Sequence, residues 1–262
     1  MQKQYIPKPL RKMLAKFYNL IEVFFTKKMD LCLAEKYYKE RYPQGKCILN
    51  YPKVNEKLIE HQVEGKTFEK AFLYTGNVSA VRGAHIHSKI PLYDNKVDIH
   101  FIGRCPSDLA KVMKENAGEN ANQLIIEGLD RFVEREEIDD KYISKRWTAG
   151  LALFPPTEHY MKKELTKFFE YMSAGIPIIC SDFPVWKQFI NKYQCGLTVD
   201  PLDMGQIAQA IHYLCDNPLE ATRMGNNGKE AVLKELNWKK QEEKLVDWYK
   251  ALDPAHVYQT QN

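Results

Sequence analysis

In the stretch ELTKFFEYMSAGIPIICSD, Glu164 to Asp182, a lysine and a glutamate stand about one helical turn apart, Lys167 and Glu170. Helical spacing runs through the first half of the stretch, and a Gly-Ile-Pro turn then opens a strand. Lys167 falls near the helix N-terminus, where free backbone N–H groups and the helix dipole favour an anion. Its ammonium is a mobile point charge that can follow a phosphate oxygen. Glu170 is unsuited to phosphate, but a carboxylate accepts hydrogen bonds from vicinal hydroxyls such as those of a ribose. One side chain for a diphosphate and one for a ribose is the layout a nucleotide-sugar site needs. The same spacing also makes an ordinary salt bridge on a solvated face, and spacing alone leaves both readings open.

A second basic residue stands in YTGNVSAVRG, a strand followed by a glycine turn and Arg82. Gly76 would let a phosphate or a sugar come close to the backbone. There is no G-x-G-x-x-G and no P-loop, so a plain turn glycine with an exposed arginine is the competing reading. His85 and His87 are spaced to point apart on a helix, which argues against a shared metal. Glu134, Glu136, Glu137, Asp139 and Asp140 read as a solvated helix start. No D-x-D stands at a strand end to chelate a metal–diphosphate, and the sequence asks for no metal. Trp238, Leu245, Trp248 and Leu252 recur at helical spacing, a pattern expected to pack on protein rather than membrane.

The elements that must position these residues begin near residue 70. Apolar runs at 70–76, 97–103, 122–128, 149–156, 176–182 and 195–201 read as six strands. Helical patterns separate most of them: a loop then a helix over 77–93, a Pro-Ser start at PSDLAKVMKEN, a helix near 133–147, and the helix of Lys167. Strands apolar on nearly every residue are covered on both faces, so the expected fold is α/β, a doubly wound parallel sheet. Such sheets bind ligands beyond the carboxyl ends of their strands. Those ends are the loops 76–83, 103–107, 128–133, 155–166 and 181–185, so Arg82 and Lys167 fall at the same edge. Before the sheet come a basic amphipathic helix (LRKMLAKFYNLIEVFFTKK), a short strand DLCLA, a helix EKYYKERY and a strand KCILNYP, then polar residues. After 201 the chain reads as three helices, with Pro218 and Asn237 at junctions and a frayed tail from 255. No internal repeat is visible.

At 262 residues, 44% hydrophobic and 27% charged, the chain is long enough for a substantial core. A net charge of +4 is too mild to argue for nucleic acid, while an anionic small ligand fits it. The six cysteines are scattered, with no C-x-x-C, and read mostly as buried free thiols in a reducing compartment. No secretory signal pattern and no membrane-spanning run is found. The expected location is therefore cytoplasmic, with at most peripheral contact at the inner face of the cell membrane through the basic helix.

On YTGNVSAVRG, HFIG, AGLALFP, ELTKFFEYMSAGIPIICSDFPVWKQFI, CGLTVDPLD and NWKKQEEKLVDWY, the chain resembles the retaining GT-B glycosyltransferases of family four. The resemblance runs from Phe72 to Leu252 and concerns their C-terminal, donor-binding domain, a Rossmann-like fold. It implies that Glu170 binds the donor ribose, and that Lys167 and Arg82 contact the donor diphosphate and steady its charge as it leaves. It implies that Gly76 faces the phosphates and that the backbone of Leu129–Phe132, including Arg131 and Phe132, holds the base. Asn77 stands where many members carry an arginine, and Lys162 where many carry a second glutamate near the sugar.

The resemblance further implies a boundary near 54, with residues 1–54 a remnant of an acceptor domain, 55–236 the donor domain and 237–262 a crossover helix and tail. The implied activity is hexosyl transfer from a nucleoside diphosphate sugar to a cell-surface glycan or lipid-linked acceptor, with no cofactor, by a truncated or split enzyme. The alternative is an inactive nucleotide-sugar-binding remnant or partner subunit. An acceptor-domain protein or a second copy of the chain is the expected protein partner, and nucleic acid is not.

Overall fold

The computed structural model describes residues 7–61 and 69–252. They form two compact units, one containing the residues up to Asn50 with those from Gln241 on, the other Tyr51–Lys240.

The first unit opens with helix α1 (Lys8–Thr26), followed by β1 (Cys32–Leu33) and β2 (Lys46–Cys47). The two strands pair in parallel, Cys32 opposite Lys46 and Leu33 opposite Cys47. The expected helix EKYYKERY is a 3-10 turn over Lys36–Glu40, and the expected strand KCILNYP is reduced to two residues. Pro43 and Gly45 follow the turn too closely for a helix to propagate.

The second unit begins with α2 (Glu56–Glu60) in the segment read as polar connection, part of which lies outside the described residues. Its core elements follow in order: β3 (Ala71–Thr75), α3 (Ala84–His87), β4 (Asp98–Cys105), α4 (Ser107–Ala117), β5 (Leu124–Leu129) and α5 (Arg135–Ser144). Then come β6 (Ala149–Ala152), α6 (Glu158–Met161), α7 (Thr166–Ser173), β7 (Ile178–Ser181), α8 (Pro184–Tyr193) and β8 (Gly196–Val199). Helices α9 (Met204–Asp216), α10 (Pro218–Lys234) and α11 (Trp238–Leu252) complete the described chain. Pro218 opens α10, and the Asn237 side chain accepts from Lys240 N–H at the start of α11. Within the first unit, Gln241 of α11 accepts a hydrogen bond from Leu49 N–H at 3.0 Å. Trp238, Leu245 and Trp248 are half-buried and Leu252 is exposed. The frayed tail lies outside the described residues.

The six strands β3–β8 form one parallel sheet, ordered β5-β4-β3-β6-β7-β8. Every residue of β3, β6 and β7 is buried, as continuous apolar runs require of strands covered on both faces. The chain steps outward from β3 to β5, then returns to place β6 on the other side of β3. That reversal makes β3/β6 the switch point, where neighbouring loops leave the sheet in opposite directions and open a crevice. Strands β3 and β6 are paired at Phe72–Ala149 and Leu73–Gly150. Farther along, the Tyr171 hydroxyl of α7 accepts from Thr75 N–H at 3.3 Å and faces the carbonyls of Leu73 (3.2 Å) and Leu151 (3.3 Å). A β-carbon at Gly150 would lie 2.4 Å from the Tyr171 ring, so the glycine makes room for this wedge. One buried tyrosine thus ties α7 to both strands at the switch point.

The helix expected after the β3 loop is instead three single turns, Ala80–Arg82, α3 and Ile90–Leu92. Gly83, at φ +83°, and Pro91 interrupt what apolar spacing alone would continue. Cys105, Cys180 and Cys195 are buried free thiols, Cys47 and Cys215 are half-buried, and Cys32 is exposed.

Candidate functional site

Lys167 is the second residue of α7, beside the carboxyl ends of β3 and β6. Its amine is shut away from solvent: the residue is buried, and its Nζ lies 3.4 Å from the centroid of the Tyr74 ring and 5.1 Å from that of Phe154. Among the described residues Nζ has no hydrogen-bond partner. Burial, with the nearby Arg82 guanidinium adding to it, holds the Lys167 amine well below the usual lysine value, and Glu170 offsets this in part. Arg82 is half-buried and hydrogen-bonds the Tyr74 hydroxyl, which in turn donates to the Asn77 carbonyl at 3.0 Å. Two cations therefore share the aromatic floor that Tyr74 provides, and the ring's negative face attracts the nearer one.

Gly76 ends β3 at φ +90°, and a β-carbon built there would meet nothing within 4 Å. The space above this backbone is open, so a bulky anion can approach it. Asn77, next along, is exposed.

Glu170 does not pair with Lys167, so the surface salt bridge that the spacing allowed does not form. Its Oε1 accepts from Arg135 Nη1, and its Oε2 accepts from the Tyr142 hydroxyl at 2.8 Å. The residues that hold it belong to α5, whose acidic start was read as solvated. That reading fails at Asp139, which is buried, ion-paired to Arg135 Nε at 2.9 Å and hydrogen-bonded by Asn55. Arg135, Asp139 and Tyr142 recur at helical spacing on one face of α5. A polar stripe of that kind, ending in a tyrosine, was the available signal.

Whereas His85 is exposed, His87 is buried. Its Nδ1 lies 2.6 Å from the Gly83 carbonyl, which can only accept, so that nitrogen carries the proton. Leu153 N–H donates to Nε2 at 3.1 Å. Burial pushes the ring down to about 3, leaving it neutral at physiological pH. His87 thereby braces the Arg82 turn against the loop after β6. Among the described residues no cluster of three or more His, Cys, Asp or Glu is arranged to hold a metal.

The loop after β5 carries Arg131 and Phe132. Arg131 is engaged by both Glu137 oxygens, at 2.8 and 3.1 Å. Phe132 is 73% exposed, with the Arg104 guanidinium 5.0 Å from its ring centroid. Asp130 turns this loop at φ +52°, and its carboxylate accepts from Ser107 N–H at 3.0 Å at the start of α4. The loop is thus anchored with the Phe132 face outward. A cavity of about 310 Å³ lies at the opposite, amino ends of β6 and β7, with Trp147, Pro177 and Lys229 in its wall.

Residues 166–231, a span that starts at α7, match the family model described as Glycosyl transferases group 1. No curated protein matches the sequence. Among solved structures, the sucrose-phosphate synthase of Thermosynechococcus elongatus is similar at TM-score 0.66 and 17% identity, over 86% of this chain and 58% of its own. A glycosyltransferase from Rickettsia africae ESF-5 is similar at TM-score 0.70 and 13% identity, over 94% of this chain and 67% of its own. Anabaena Alr3699/HepE, solved in complex with UDP, is similar at TM-score 0.65 and 10% identity, over 85% of this chain and 64% of its own. The likeness establishes the fold, the Rossmann-like parallel α/β arrangement of GT-B glycosyltransferase structures. The chain spans 58% of the first of these proteins. No helix among the described residues is long and apolar enough to cross a membrane.

Proposed function

We propose that this chain binds a nucleoside diphosphate sugar and serves as the donor half of a retaining hexosyltransferase acting on a cell-surface glycan or lipid-linked acceptor. The observation that carries this reading is the buried Lys167 amine, without a hydrogen-bond partner among the described residues, set beside Arg82 at the switch point of the sheet. A buried cation without an anionic partner is costly, and an anion that enters beside it removes that cost. The open backbone at Gly76 lets a diphosphate come close, and Glu170, one turn along α7, meets the ribose hydroxyls. Asn77, Arg131 and Phe132 complete the binding surface, with the base on the loop after β5.

In the transfer step the bond between the anomeric carbon and the diphosphate oxygen breaks, and negative charge gathers on the departing diphosphate. Arg82 and Lys167 are fixed where that charge develops, the largest electrostatic demand of the reaction. The family match and the GT-B neighbours support the same chemistry.

The proposed protein partner is an acceptor-domain protein or a second copy of this chain. Helix α1 supports this: Leu10, Phe17, Leu20 and Phe24 are exposed on one face, while Glu22 on the other is tied to Arg41 and Tyr42. Its polar stripe is used within the unit and its apolar stripe faces outward, an arrangement that favours association. Working in the cytoplasm, such a pair would meet its acceptor at the inner face of the cell membrane.

Calorimetric titration with UDP, GDP and ADP tests the donor site. Selective binding of one nucleotide, lost in Lys167→Ala and in Glu170→Ala, is the expected result. A folded chain that binds none of the three would leave an inactive remnant as the reading.

A further inference from the structure

Glu170 is held from both sides by residues that no motif identifies. Arg135, the first residue of α5, reaches Oε1, and its own Nε is ion-paired to Asp139 at 2.9 Å. Tyr142, two turns on, gives its proton to Oε2, and its oxygen lies 2.8 Å from Thr75 Oγ1, which then donates to it. Asn55 donates to the far oxygen of Asp139 at 2.8 Å. A continuous polar chain therefore runs from Asn55 through Asp139, Arg135, Glu170 and Tyr142 to the end of β3.

We propose that Arg135 and Tyr142 are positioning residues that fix the Glu170 carboxylate for the 2′- and 3′-hydroxyls of the donor ribose, and so set the preference for ribose over deoxyribose. The inference rests on the donor-site reading above. A glutamate on a helix has three side-chain torsions, and locking them before the ligand arrives spares binding that ordering cost. The acceptor count fits as well. A carboxylate offers about four lone-pair directions; Arg135 and Tyr142 take two and leave two for a vicinal diol. Arg135 also supplies the opposite charge beside a carboxylate whose side chain is only 14% exposed.

The test titrates the full chain with UDP, GDP and ADP, with their 2′-deoxy counterparts, and with inorganic pyrophosphate. The wild type should favour the ribonucleotide it binds by about tenfold or more, the scale of a hydrogen bond to a charged group. Arg135→Gln should shrink that preference to about twofold or less while leaving pyrophosphate binding unchanged, because the Lys167 side is untouched. Tyr142→Phe should give an intermediate loss, and Arg135→Lys should restore part of the preference. A ribose preference that persists in Arg135→Gln overturns the inference, as does an equal loss of pyrophosphate binding, which would mark Arg135 as structural. A wild type that binds pyrophosphate through Lys167 yet shows no ribose preference leaves the donor-site reading standing and removes this inference. A wild type that binds none of these ligands removes both.

Discussion

The two halves of the candidate site, carried three residues apart on α7, are built on opposite principles. Glu170 is satisfied before any ligand arrives, one oxygen held by Arg135 and the other by Tyr142. Lys167 is left unsatisfied, its amine buried over an aromatic ring with Arg82 close by. Neutral hydroxyls bind weakly one at a time, so the group that receives them gains from being fixed in advance. A diphosphate brings its own strong charge, so the group that receives it can wait as a local deficit. The contrast assigns orientation to one half and binding strength to the other.

The largest effect that could break this division is loss of the deficit itself. Lys167→Ala should weaken nucleoside diphosphate and pyrophosphate binding alike by about 100-fold, from the removed charge-assisted contacts. If Lys167→Ala changed ribose preference and spared pyrophosphate, the two roles would have been exchanged. Calorimetry with both ligands distinguishes these outcomes.

Both halves hang on α7, so the tie that seats this helix should affect them together. Tyr171→Phe leaves Thr75 N–H without its buried acceptor and should cost roughly 1–3 kcal/mol of stability, read by urea denaturation. Ribose preference and pyrophosphate affinity should fall in parallel in this variant. A change in one alone would show that the halves are seated independently.

The smallest effect has the opposite sign. Lys167→Met keeps the buried volume and removes the buried charge, so it should raise Tm by about 2–8 °C, equivalent to roughly 1–2 kcal/mol in a chain of this size. The sign follows from proton linkage. The folded-state value of Lys167 lies below the ordinary 10.5, so the unfolded chain binds more protons in that window and stability rises with pH across it. The advantage of Lys167→Met should therefore shrink as pH rises toward the ordinary lysine value and disappear above about pH 10.5. Thermal scans of both proteins across that range check it, and a variant less stable than wild type at neutral pH would contradict it.

Much of this was legible in the sequence because the sheet is buried on both faces. AFLYT, AGLA and IICS are apolar without interruption, so strand identity and parallel topology followed from the run itself. The spacing of Lys167 and Glu170 was equally visible, although spacing alone allowed a salt bridge that the fold does not make. What stayed hidden depends on neighbours far along the chain. Arg135, Asp139 and Tyr142 sit within a run of charges that resembles a solvated face, and their partners lie on β3, α7 and the segment before α2. His87 was similarly opaque, since its two hydrogen bonds go to backbone groups at Gly83 and Leu153. Gly83 and Pro91 were in plain view, but apolar spacing outweighed them in reading 77–93 as loop and helix.

The most direct measurement is proton uptake on binding, taken from calorimetric titrations in buffers of different ionisation enthalpy. Below the ordinary lysine value of 10.5, the depressed Lys167 gives up its proton in the free chain at a lower pH than it does beside a bound diphosphate. Titration with whichever of UDP, GDP and ADP binds, repeated at several pH values up to the ordinary lysine value, should therefore show net proton uptake, with affinity falling as pH rises. Lys167→Ala should abolish that uptake. Tight binding with no proton uptake, or uptake unchanged in Lys167→Ala, would mean that the diphosphate does not meet this amine, and the account of the site would be wrong.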